Sequence, residues 1–217
     1  MITQIICTIM SSMGTHRNSS ANLFSLARDQ NGFFTTKQAE TAGFRRQSHY
    51  YHVQTGDWIR EHRGIYRLAH FPSAERPDLI RFWLWSRNRE DIPQGVYSHE
   101  TALSLHELSD VMPARLARLH MTVSKTFRRM APILRAIVLH RGDLDPAGIE
   151  TLEGVPVTTP LRNILDLLRE YRVSQDLLVQ ALKEALQRGT ITQKSIRKTS
   201  LPEELRQEFS ELLARTT

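Results

Sequence analysis

Between Phe33 and Leu68 the spacing of apolar positions changes twice, and each change predicts a new element. Thr35 or Thr36 caps a short helix through Lys37, Gln38, Ala39 and Glu40, because a hydroxyl there accepts from an orphan amide of the first turn. Ala42-Gly43 ends it, glycine supplying the backbone freedom that a sharp reversal needs. A second helix runs from Arg45 to Gln54. In it His49, His52 and Val53 recur at i, i+3 and i+4 and face inward, which turns Gln47, Tyr50, Tyr51 and Gln54 outward. Beyond Gly56-Asp57, the runs Trp58-Ile59-Arg60 and Ile65-Tyr66-Arg67-Leu68 alternate around a turn at His62-Arg63-Gly64, the pattern of a hairpin. Upstream, Ser19 or Ser20 caps a first helix with Leu23, Phe24, Leu26 and Ala27 as its apolar stripe, and Phe33-Phe34 gives a strand to pair with the hairpin. Helix, turn, basic helix and basic hairpin in this order read as a winged helix-turn-helix.

The later pattern is mixed. Residues 71–77 have the composition of a linker. Asp78 caps a helix over Leu79–Arg89 whose Phe82, Trp83 and Trp85 offer a broad apolar surface. Val96-Tyr97 reads as a strand leading into a helix capped by Ser98, amphipathic through Ala102, Leu105 and Leu108. Strand-like runs follow at 120–123, 137–140 and 155–158, then a helix opened by Thr159-Pro160. The tail is helical over 177–188, 192–198 and 202–214. The expected architecture is α+β: a flexible tail (1–18), a winged helix-turn-helix domain (19–70), a linker (71–77), and an α+β C-terminal domain (78–217) with a small sheet and terminal helices.

Charge adds a partner. The 217 residues carry 29 basic and 23 acidic side chains, a net +6 with a pI near 9.8, which favours a polyanion. The single Cys7 excludes a disulfide framework within the chain and fits a reducing, cytoplasmic compartment. Ile2 to Met10 is apolar, but too short to span a membrane and without a preceding basic residue; Met13 is a candidate alternative start. No run of transmembrane length appears, so membrane association is not expected.

On the winged segment, Arg46 and Gln47 lie where recognition helices meet base edges. Arginine matches guanine bidentately and glutamine matches adenine. Tyr50 and Tyr51 can donate to phosphates or pack on sugars, and Arg60, Arg63 and Arg67 on the hairpin hold the flanking backbone or enter a minor groove. Thr36, Arg45, Ser48 and Gln54 complete the expected contact set with double-stranded DNA.

The same residues resemble the N-terminal DNA-binding domain of AbiEi-type antitoxins, the transcription-repressing partners in type IV toxin–antitoxin systems. The resemblance is carried by Phe34-Thr35-Thr36, Ala39, Gly43-Phe44, Arg46, Val53, Gly56, Ile59 and, most specifically, Arg63-Gly64-Ile65-Tyr66-Arg67-Leu68. Tyr50 and Tyr51 stand where that family leads one to expect arginines, and His49 and His52 where aliphatic residues usually face the core. The second half resembles the C-terminal part of the same regulators through residues 97–103, 119–122 and 155–162. The resemblance implies a repressor that autoregulates its operon, with a nucleotidyltransferase-like toxin or a second copy of itself as partner.

Signs of catalysis are incomplete. His99-Glu100 and His106-Glu107 do not make an HExxH, and His49 and His52 lack a third ligand, so packing is the expected role of that pair and no metal or other cofactor is expected. Ser98-His99 is no triad. The alternative function is a metal-dependent nuclease targeted by the winged domain, with Asp143, Asp145, Glu150 and Glu153 as its acidic site, although the lysine such a site needs is absent from Leu152-Glu153-Gly154-Val155. No catalytic residues are assigned.

Overall fold

The structure is a computed structural model that describes residues 18–72, 75–108, 118–129, 134–170 and 172–216. The expected tail and the alternative start at Met13 lie outside the described residues. The fold is α+β. Its contacts divide the chain into two units, 1–93 and 94–217.

In the first unit, helix α1 (18–28) contains both Ser19 and Ser20. Leu23 and Ala27 are buried on it, whereas Phe24 and Leu26, expected on the same stripe, are exposed, because only the i, i+4 edge faces the core. Strand β1 (Phe33–Thr35) leads into α2 (Thr36–Thr41). Thr35 forms a full capping box with Gln38, each side chain serving the other's backbone amide. The reversal at Gly43 has φ +104°, and a Cβ there would stand 2.5 Å from Ser19 Oγ. The expected helix over Arg45–Gln54 is split, with Arg46–Ser48 forming a 3-10 turn and only His49–Gln54 (α3) being α-helical. Ser48 accounts for the tighter start, since its amide and its hydroxyl both donate to the Arg45 carbonyl, an i→i−3 pattern.

Strands β2 (Trp58–His62) and β3 (Ile65–Leu68) make the hairpin, with β1 on the far edge of β3 in an antiparallel sheet of order β1-β3-β2. Gly64 at the hairpin turn has φ +71°, and an added Cβ would approach Arg87 Nη2 at 2.9 Å and Thr36 Oγ1 at 3.3 Å. Helix α4 (Pro77–Trp85) is shorter than the expected Leu79–Arg89, and Asp78 lies in its first turn paired with Arg76 instead of capping it.

The contact division differs from the boundary expected at 71–77. Helix α4 packs against β1 and β3, Arg87 donates to the Gly64 carbonyl at 3.1 Å, and Thr35 and Asp91 share a hydrogen bond. A linker-like composition therefore precedes an element that completes the first unit's core.

The second unit holds a five-stranded mixed sheet of order β6-β5-β4-β8-β7. Its strands are β4 (Val96–Tyr97), β5 (Leu119–Val123), β6 (Ile137–Arg141), β7 (Ile149–Leu152) and β8 (Val155–Thr158). Strand β7 was not expected. Helix α5 (His99–Leu105) starts after Ser98, whose extended backbone fits an N-cap but whose hydroxyl makes no capping bond. Helices α6 (Pro160–Glu170), α7 (Gln175–Gln187), α8 (Gln193–Lys198) and α9 (Glu203–Ala214) enclose a leucine-rich core with Leu103 and Leu108. Among the described residues, no helix is long and apolar enough to cross a membrane.

Candidate nucleic-acid interface

An aromatic cluster sets the orientation of α3. Trp58 at the start of β2 is buried, with Phe34, Phe44 and His49 edge-on at 4.9, 5.1 and 5.2 Å between ring centroids. His52 stacks on the same indole at 4.6 Å. The inward face of α3 thus consists of buried His49 and half-buried His52 and Val53, as the helical period predicts. His49 Nε2 meets the Phe44 carbonyl at 3.3 Å, and burial depresses its pKa. His52 Nδ1 lies 3.2 Å from Asp57, whose carboxyl is held below its usual range by hydrogen bonds from Thr55 and then His52.

The opposite face is open. Arg45, Arg46 and Gln47 are exposed at the 3-10 entrance, and Tyr50, Tyr51 and Gln54 are exposed along α3; the two tyrosines are 72% and 63% accessible. Two phenol rings left this open on a short helix cost hydrophobic burial and offer hydroxyls and flat faces to a partner. On the hairpin, Arg60 and Arg63 are exposed. Among the described residues none of Arg45, Arg46, Arg60 and Arg63 forms an ion pair, so their charge is available to an outside anion.

Three expected residues are placed differently. Arg67 pairs with Glu61 at 2.9 Å and is largely covered; the register sets it opposite Ile59, whereas Arg60 stands opposite Tyr66 on the other face. Ser48 spends its hydroxyl on the Arg45 carbonyl at 2.7 Å. Thr36 is half-buried beneath the hairpin turn, its amide donating to the Gly64 carbonyl at 3.1 Å.

The acidic residues of the nuclease alternative do not converge. Asp143 pairs with Lys125 at 2.9 Å, Asp145 caps the 3-10 turn Pro146–Gly148, and Glu150 lies 3.7 Å from His106. A different group does come together in the second unit. His99 at the start of α5 and His140 on β6 stack at 3.6 Å between ring centroids, and Glu170 at the end of α6 faces both, 3.2 Å from His99 Nε2 and 3.3 Å from His140 Nδ1. His140 Nε2 lies 3.2 Å from His120 Nδ1, which in turn lies 2.8 Å from Glu100, itself 3.3 Å from Arg172. Burial lowers the pKa of His99, and burial with the neighbouring His99 pushes that of His140 down to about 4. Burial opposes ionisation of Glu100, yet the His120 hydrogen bond and the charges of His120 and Arg172 hold its carboxyl at about 2. His99, His140 and Glu170 border a cleft of about 810 Å³ that Arg162, Asp166 and Arg169 also line. Sequence reasoning missed this group because its members come from three elements with no common spacing.

Residues 22–69, from α1 through β3 and the first turn beyond it, match the family model described as "Transcriptional regulator, AbiEi antitoxin". The first unit therefore carries a domain of the DNA-binding regulator type. No curated protein matches the chain at a significant level. Among solved structures, the crystal structure of the RV2827C protein from Mycobacterium tuberculosis is similar, with a TM-score of 0.59 over 91% of this chain and 77% of that one at 14% identity, a likeness of fold alone.

Proposed function

We propose that the chain is a sequence-specific repressor that autoregulates its own operon and serves as the antitoxin-like member of a toxin–antitoxin pair in the cytoplasm. The observation that carries this reading is the exposed cationic face: Arg45, Arg46 and Gln47 at the entrance of α3, with Arg60 and Arg63 on the adjoining hairpin, none of the arginines in an ion pair among the described residues. Arg46 and Gln47 read base edges, Tyr50, Tyr51 and Gln54 flank them on the groove walls, and Arg60 and Arg63 clamp phosphates. Arg67, Ser48 and Thr36 support this surface from within. The second unit engages the partner, a nucleotidyltransferase-like toxin or a second copy of the chain on paired sites, which raises avidity without new base contacts.

The test begins with the duplex that the protein selects from a random pool. Arg46→Ala and Gln47→Ala should each cost about 1–3 kcal/mol on that duplex and little on random DNA, because base-edge contacts discriminate and phosphate contacts do not. A reporter driven by the chain's own promoter should be derepressed by the same substitutions. Equal losses on both DNAs would assign Arg46 and Gln47 to the backbone, and an unaffected reporter would remove autoregulation.

A further inference from the structure

We infer that His99, His140 and Glu170 form a binding site for one divalent transition-metal ion, with zinc the best match. Their ligand atoms all lie within 4.8 Å of one another. Glu170 reaches the two imidazoles through different oxygens, Oε1 at 3.2 Å from His99 Nε2 and Oε2 at 3.3 Å from His140 Nδ1, each near the ~3.3 Å ligand–ligand edge of a tetrahedral site with metal–ligand bonds of about 2.0–2.1 Å. Two imidazoles and a carboxylate suit zinc better than calcium or magnesium, which take oxygen ligands.

A second observation points to the same ligand. His99 is 2% exposed, and its Nε2 has no hydrogen-bond partner although Glu170 is 3.2 Å away, because the carboxylate lies off the direction a hydrogen bond requires. A buried imidazole nitrogen left without a hydrogen bond is costly, and a cation held between it and the carboxylate removes that cost. The outer nitrogen of His99 is already engaged, as it is around bound metals. His99 Nδ1 meets Ser98 Oγ at 2.8 Å, where Thr122 Oγ1 also donates at 2.8 Å, and His140 Nε2 meets His120 at 3.2 Å. The backbone contributes too. His99 has φ +53°, a conformation that non-glycine residues adopt only at a cost, and the buried Asn163 donates to its carbonyl at 3.1 Å. Closing on the ion turns one of the two stacked rings so that both lone pairs meet at a common centre, and leaves the fourth position to water or to an anion from the cleft.

The full chain is titrated with Zn²⁺ by calorimetry and with Co²⁺ by its visible d–d absorption, folding being checked by circular dichroism. The site requires one equivalent of either ion and intense Co²⁺ bands of tetrahedral type. Glu170→Gln, His140→Asn and His99→Asn (asparagine tolerates the positive φ) should each abolish the one-equivalent step, while His120→Ala in the outer shell weakens it about 10–100-fold. Cys7→Ser should bind as the wild type does. A wild type that takes up no equivalent of either ion, or a step that survives both Glu170→Gln and His140→Asn, overturns the assignment.

Discussion

The two units use histidine in opposite ways. In the first, His49 and His52 are parts of an aromatic cluster centred on Trp58, where ring contacts of 5.2 and 4.6 Å replace aliphatic packing. In the second, His99, His120 and His140 meet the carboxylates Glu100 and Glu170. The difference extends to charge in general. The first unit keeps Arg45, Arg46, Arg60 and Arg63 exposed and without ion pairs among the described residues, whereas the second gathers His99, His120, His140, Glu100 and Glu170 against one another. On the proposed readings, one unit presents charge to DNA and the other gathers it into a metal site.

The largest expected effect tests the aromatic half of this contrast. Trp58→Ala should cost the first unit about 3–5 kcal/mol, the usual loss for a buried aromatic. All three tryptophans, Trp58, Trp83 and Trp85, lie in the first unit, so indole fluorescence follows that unit alone. The denaturant midpoint read by Trp83 and Trp85 should fall, while the transition of the second unit seen by far-UV circular dichroism stays in place. A common shift of both would mean that the units unfold together.

A smaller effect separates the two sets of histidines. His49→Leu should change stability by no more than about 1 kcal/mol, because leucine removes an unsatisfied ring nitrogen while filling the same space. His99→Leu should cost at least about 2 kcal/mol, since leucine is poorly suited to φ +53° and removes one of the two groups facing Ser98 Oγ and one of the two imidazoles facing Glu170. Equal costs from urea titrations of the two variants would erase the distinction.

How far each set was legible follows from this geometry. His49, His52 and Val53 share one helix and obey its period, so their inward direction was readable, as were a helix cap at Thr35 or Thr36 and the hairpin around Gly64. The 3-10 start at Arg46–Ser48 was not, because the Ser48 side-chain bond that tightens it leaves no mark on periodicity. Nor was the pairing of Arg67 with Glu61, which depends on strand register. His99, His140 and Glu170 are brought together by a parallel β5–β6 pair and by the docking of α6 on α5, contacts that no local window contains. Strand β7 was hidden because its only apolar residues, Ile149 and Leu152, lie three apart with exposed Glu150 and Thr151 between them, so no period-two alternation marks it.

The smallest expected effect concerns pH. His99 and His140 have folded-state pKa values below the ordinary 6.5, the latter near 4, so the unfolded chain binds more protons between these limits. Stability of the second unit should therefore be complete above about pH 6.5 and decline as pH falls toward about 4. Glu100, held near 2, adds a loss of its own only below its ordinary 4.5. His49 is depressed as well, so the first unit should lose some stability, but from one histidine and not two. Urea midpoints at pH 7 and pH 5 check the order, and a steeper loss in the first unit would reverse it.

The central claim is that the open cationic face of the first unit meets DNA. Its most direct test is the salt dependence of binding by the full chain, measured by fluorescence anisotropy on the selected duplex. Each phosphate contact contributes about −0.9 to the slope of log affinity against log salt. Arg60→Ala and Arg63→Ala should each flatten that slope by roughly one unit and weaken binding to all sequences alike, while Arg67→Ala, already neutralised by Glu61, leaves it nearly unchanged. A wild-type slope near zero, or one that Arg60→Ala and Arg63→Ala leave intact, would contradict the claim.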